Sequence, residues 1–338
     1  MGSVSAQGAS INRTMRQDRI ERQLESLAAL RAQPLEEHTL AALRAALGDR
    51  VNLVVAKAAK IAVELQLRQL IPDLLQAFER LFADPAKSDP QCWGKNALVK
   101  ALKDLQYDES APFLRGIQYV QMEPAWNGQE DTAATLRGAS ALALLQCSDM
   151  ARQDKLWQVM RLLSDPAAPV RRDAVTALQQ LAGIESALLL RLKARMGDRE
   201  PVITGQALES ILAIEGEAGL PFASEFLHSP HQEIREEASL ALGASRLAGA
   251  IAKLEEAWPR TRDPRERLTI LRAIASSRQE PAIEFLIRTV RDGREPEAIA
   301  ALEALETYGH SADLESRIAK AAEARAERPI QEYFRGRT

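Results

Sequence analysis

The chain has 338 residues, 46% of them apolar and 27% charged, with a net charge of −3. That balance gives a chain able to fold in water, and it weighs against a protein held mainly on a phosphate backbone, which needs a large excess of Lys and Arg. Aromatics are only 4% and the apolar mass is mostly Ala and Leu, which argues for helices and against a β-sandwich or barrel. The two cysteines, Cys92 and Cys147, exclude a disulfide framework and a thiolate zinc site and suit a reducing compartment.

At the amino end, MGSVSAQGAS lacks the basic start and apolar run of a signal peptide, and Ala6 breaks the myristoylation pattern. Residues 1–15 are therefore expected to be a disordered leader. No stretch approaches the roughly 18 uninterrupted apolar residues of a membrane span, so a cytoplasmic location and no membrane partner are expected. A charge-rich helix over about 16–30 reads as a cap.

Repetition then dominates. In Val170–Leu181 the positions Val170, Ala174, Ala177, Leu178 and Leu181 are apolar or small, at offsets 0, 4, 7, 8 and 11, which is one helix face. Related patterns start at 54, 94, 136, 170, 203, 234, 267 and 297, so the spacings are 40, 42, 34, 33, 31, 33 and 30. A second set of helices alternates with the first, several entered through a proline: Pro72, Pro112, Pro221 and Pro281. The two longer spacings hold the polar stretches 86–91 and 121–131, which read as loop insertions. A charge-rich helix over about 314–327 reads as the closing cap, ended by Pro329, with 328–338 a loose tail.

The run over 157–181, which from Val159 follows the pattern LxxLLSDPxxPVRRDAVxALxxL with Val at its first position, resembles a HEAT repeat and the bacterial HEAT-like repeats of phycobilisome lyases. The resemblance spans roughly 38–327. It implies an all-α fold: an α-solenoid of about eight stacked helical hairpins in a HEAT-like superhelix with helical caps, over 16–327 as a single array.

The HEAT-like hydroxylase acting on deoxyhypusine holds iron on repeated His-Glu dipeptides; here His38, His228, His231 and His310 are each followed by another residue. His228 and His231 are three apart with Pro230 between them, which reads as a solvated turn rather than a metal site. Cys92 and Cys147 have no neighbouring base in sequence, and no phosphate-binding glycine loop is present. No catalytic, metal or cofactor residues are assigned, and the chain is expected not to be an enzyme. Lys95, Arg137, Arg171 and Arg235 occupy offset 1; the resemblance implies a ladder in which each pairs with an Asp of the preceding turn, as Asp165 precedes Arg171. An anion-binding track is the functional alternative.

In such arrays the repeated helix lines the concave side, which places offsets 2, 6, 9 and 13 in the groove. The partner face so derived comprises Lys60, Val63, Leu67, Lys100, Lys103, Leu142, Leu145, Arg172, Leu212 and Leu240. Its apolar members are expected to be exposed, with basic charge at the first part and acidic charge near Glu209, Glu236, Glu303 and Glu306. A two-signed groove fits another protein or peptide, so the expected function is a non-catalytic interaction scaffold of unspecified oligomeric state. The rivals are a nucleic-acid-binding protein of the HEAT-like alkylpurine DNA glycosylase type, and a lyase-like subunit acting on a tetrapyrrole-bearing protein. The slightly negative charge and the outer or loop positions of Trp126, Trp157 and Trp258 weigh against nucleic acid.

Overall fold

The computed structural model describes residues 17–32, 36–126, 128–309 and 311–336; the expected leader and His310 lie outside the described residues. About 77% of the structure is helical. The chain divides into two compact units, Met1–Ala177 and Leu178–Thr338.

The first unit holds α1 (17–29), α2 (Glu37–Leu47), α3 (Asn52–Glu64), α4 (Ile71–Arg80), the one-turn α5 (Pro85–Ser88), α6 (Trp93–Asp104), α7 (Ala111–Ile117), α8 (Ala134–Leu144) and α9 (Arg152–Leu162). Helices α2/α3, α4/α6 and α7/α8 pack as hairpins, and α3, α6 and α8 stack on one another as a second row. Helix α10 (Ala168–Leu181) carries the boundary between the units, with Val170, Ala174, Ala177 and Leu178 all fully buried, as the offsets require.

The second unit holds α11 (Gly183–Met196), α12 (Pro201–Glu215), α13 (Leu220–Glu225), α14 (Gln232–Ser245), α15 (Ala250–Ala257), α16 (Pro264–Ser276), α17 (Glu280–Asp292), α18 (Glu295–Leu305), α19 (Ala312–Glu323) and α20 (Arg328–Gly336). Each consecutive pair is a hairpin, and α12, α14, α16, α18 and α20 form the second row.

Two expectations are corrected. The loose tail is a helix through Gly336: Pro329 does not end the preceding helix but sits in the first turn of α20, and Ile330 is fully buried. A proline is as compatible with a helix start as with a helix stop, and the buried isoleucine decides between them. The second insertion is not a plain loop. Met122–Ala125 (β1) and Gly128–Asp131 (β2) pair antiparallel, with Trp126 fully exposed after β1.

Pro72, Pro112, Pro221 and Pro281 all stand in first turns, where a missing N–H costs nothing. At α16 the Asp263 carboxylate adds a cap, accepting from the N–H groups of Arg265 (2.9 Å) and Glu266 (3.1 Å). The second-row helices end in a recurring device, a residue in the left-handed region: Gln66, Gln106, Ala182, Gly216, Arg246, Arg278 and Gly309. At α3 and α6 it is a Schellman closure, with Leu67 N–H on the Ala62 carbonyl (2.8 Å) and Tyr107 N–H on that of Leu102 (2.9 Å).

Candidate functional site

The basic residues at offset 1 are tied into the fold. Arg137 forks onto Asp165 of the following turn (2.8 and 3.0 Å) and also reaches Asp131 (2.6 Å). Arg235 forks onto Glu266 (2.8 and 2.7 Å), and Arg267 reaches Glu297. Asp165 meets arginines of two repeats. Its carboxylate takes Arg137 of the repeat before, while Arg171 donates to the backbone carbonyls of Asp165 and Pro166 (2.9 and 3.0 Å). These are planar, part-buried forks between successive repeats, a bracing arrangement rather than an exposed anion track.

Lys95 is wholly buried. Its ammonium donates to Asp89 (3.1 Å) and Gln121 (3.0 Å) and lies 5.2 Å from the ring centres of both Phe82 and Tyr119. Asp89 also accepts from the N–H groups of Gly94 and Lys95, and Asn52 donates to it (2.9 Å). Glu123 of β1 accepts from Thr132 (2.7 Å) and from the Gln91 N–H (2.7 Å). Against burial, which would raise it, these bonds hold the Glu123 carboxyl below its usual value. The network pins the insertion to α6. Burial pushes the thiols of Cys92 and Cys147 up to about 11, which keeps them protonated at neutral pH.

His228 and His231 are exposed, and His38 lies 3.3 Å from Glu36. Among the described residues no three His, Cys, Asp or Glu side chains gather as a metal site requires.

The ten expected partner residues separate. Lys60 and Val63 of α3 and Lys100 of α6 come together on a groove of about 580 Å³, with Leu53, Ala97 and Leu24 of α1 as apolar lining. Lys57 adds a third cation there, against Glu64 and Asp104. Lys103 and Arg172 instead flank Asp173, which is seated over Gly138 where any Cβ would collide with its carboxylate. Leu142 and Leu145 are half-buried, and Leu240 is 40% exposed.

Leu67 and Leu212 are corrections, each 2% exposed. Leu67 lies beyond the end of α3, where Gln66 at φ 53° turns the chain back and folds the leucine inward, so helical projection fails. Leu212 belongs to α12, which is buried round most of its circumference, from Ile203 to Leu212.

The second unit has a larger groove, about 780 Å³, between α16 and α18. Leu271, Ala275, Ile299 and Ala304 form an apolar floor, and Glu295 and Glu303 stand on one side. Arg246, Arg272 and Arg278 stand at its rim; all three are exposed, and none has a carboxylate partner among the described residues. This end of the row is thus not simply acidic. Projection missed the arginines because Arg246 and Arg278 occupy left-handed positions just past α14 and α16, 32 residues apart.

Residues 220–306, from α13 through α18, match the family model described as HEAT repeats. No curated protein matches the chain in sequence. Among solved structures it is similar to human deoxyhypusine hydroxylase in complex with glycerol, at 18% identity over 86% of this chain and 97% of that one (TM-score 0.32). It is also similar to an engineered protein, at 14% identity over 92% of each chain (TM-score 0.36). The matched repeats coincide with stacked hairpins and their arginine–glutamate ladder, and residues 220–306 are HEAT repeats.

Proposed function

We propose that the chain is a non-catalytic interaction scaffold whose second-row helices receive an acidic, partly apolar segment of another protein or peptide. The observation that carries this reading is the α16–α18 groove: an apolar floor with three exposed arginines that have no internal carboxylate partner. Cations without internal partners above an apolar floor are complementary to an amphipathic chain bearing carboxylates. The α3–α6 groove adds Lys57, Lys60 and Lys100 beside apolar lining, with Lys60 4.0 Å from Glu64. The raised thiols and the ladder-bound arginines support the non-catalytic part of the reading.

The test is capture of partners from host extract by wild-type protein and by two charge reversals, Arg272→Glu with Arg278→Glu and Lys60→Glu with Lys100→Glu. Circular dichroism should be unchanged in both. A partner retained by the wild type and lost with at least one reversal supports the reading. Capture indifferent to both reversals overturns it. So does tight duplex binding at about 0.15 M salt that falls steeply with added salt, the behaviour of a counterion-releasing nucleic-acid binder.

A further inference from the structure

Helix α11 belongs to the first row of the second unit, and it is apolar on two faces. Ala187, Leu190 and Ala194 are buried, and the helix packs on α12. The other face carries Ile184, Leu188, Leu192 and Met196, exposed to 73%, 60%, 57% and 78%. They stand four residues apart along the whole helix and make one continuous ridge. A surface helix of a monomer ordinarily presents polar residues there. Between them the four side chains offer roughly 400–500 Å² of apolar surface, the size at which an exposed patch marks an interface.

We infer that this ridge pairs with the same ridge of a second copy, the two α11 helices running antiparallel about a two-fold axis near Leu190. Two features favour a second copy over a different protein. The ridge is self-complementary: an axis at position 190 sets Ile184 against Met196 of the other copy and Leu188 against Leu192, large apolar groups throughout, as an isologous contact requires. Two copies together bury on the order of 1,000 Å², the threshold for a specific interface, and Val202, 48% exposed at the start of α12, lies close in sequence to the end of the ridge. Ridges running along i±4 rows lie side by side when the axes cross at about −50°, so all four residues of each helix make contact. The second-row grooves lie on other helices of the unit and are not consumed by this pairing.

The experiment is sedimentation equilibrium across a concentration series, with Leu188→Glu/Leu192→Glu as the variant. The wild type should pass from the 37.2 kDa chain mass to twice that mass as concentration rises. The variant, whose changes fall on exposed positions, should remain at the single mass with an unaltered helical spectrum. A wild type that stays monomeric to about 100 μM overturns the inference and leaves the ridge to a different protein. So does a dimer that the double substitution leaves intact. The orientation has its own readout. Mixed Leu188→Cys and Leu192→Cys chains should cross-link to each other faster than either does to itself, since the native Cys92 and Cys147 are buried. Faster 188–188 linkage would establish a parallel pairing and overturn the antiparallel register.

Discussion

At Asp173 one side chain reports how closely the second-row helices approach. Its carboxylate sits over Gly138, in space that a Cβ would fill, and burial raises its pKa above the ordinary value of 3.8 despite the opposing pull of Arg172 and Lys103. Glu237 repeats the arrangement over Gly205, raised by burial and then by Glu209 and Glu236. A carboxyl whose folded pKa lies above its unfolded value costs stability when both states are ionised, and that cost fades as pH falls through the raised pKa. Asp173→Asn should therefore raise the Tm at pH 7, with the advantage shrinking on acidification and gone below about pH 3.8, once both states are protonated. Thermal melts of the pair between pH 7 and pH 3 measure this. An advantage that grows on acidification would mean that the Arg172 and Lys103 attraction outweighs burial.

At the scale of the element, the left-handed closures of the second-row helices carry a conformational cost wherever the residue is not glycine. Gln106 is exposed, has φ 57° and ends α6. Left-handed backbone costs a residue with a Cβ about 1–2 kcal/mol, and glycine returns part of the gain through its freer unfolded chain. Gln106→Gly should stabilise by about 0.5–1 kcal/mol, read as a shift in the urea midpoint at constant slope. These closures also explain what could be read from the sequence. The hairpins were legible because offsets 0, 4, 7, 8 and 11 recur wherever one helix face is buried, and Val170, Ala174 and Leu178 fulfil them. Leu67 was misplaced because helical projection was carried past a closure that no glycine announces. Arg246 and Arg278 of the α16–α18 groove escaped for the same reason. Leu212 was misplaced because burial of α12 depends on neighbours from both sides, and the sequence of one helix does not encode how much of its circumference they cover. The α11 ridge was written plainly in IESALLLRLKARM, apolar on two faces, but a second apolar face reads equally as a buried one.

At the scale of the molecule, contacts inside each unit run between consecutive hairpins, so the stability of a unit is a chain of nearest-neighbour terms rather than one shared core. Helix α18 packs on α16, α17 and α20, and Leu302 at its centre is fully buried. Leu302→Ala should leave a cavity costing about 2–5 kcal/mol. In a globular core that loss would lower protection everywhere alike. In a stacked unit it falls first on the elements that share the damaged interface. Amide exchange in α16, α18 and α20 should accelerate together, while α12, which packs on α11 and α14, keeps its protection. Because α20 packs on α18 and α19 through a single buried residue, Ile330, it should open at the lowest denaturant concentration, ahead of α16. A uniform rise in exchange across the whole unit would show that its hairpins unfold as one cooperative block, and that the nearest-neighbour description fails for it.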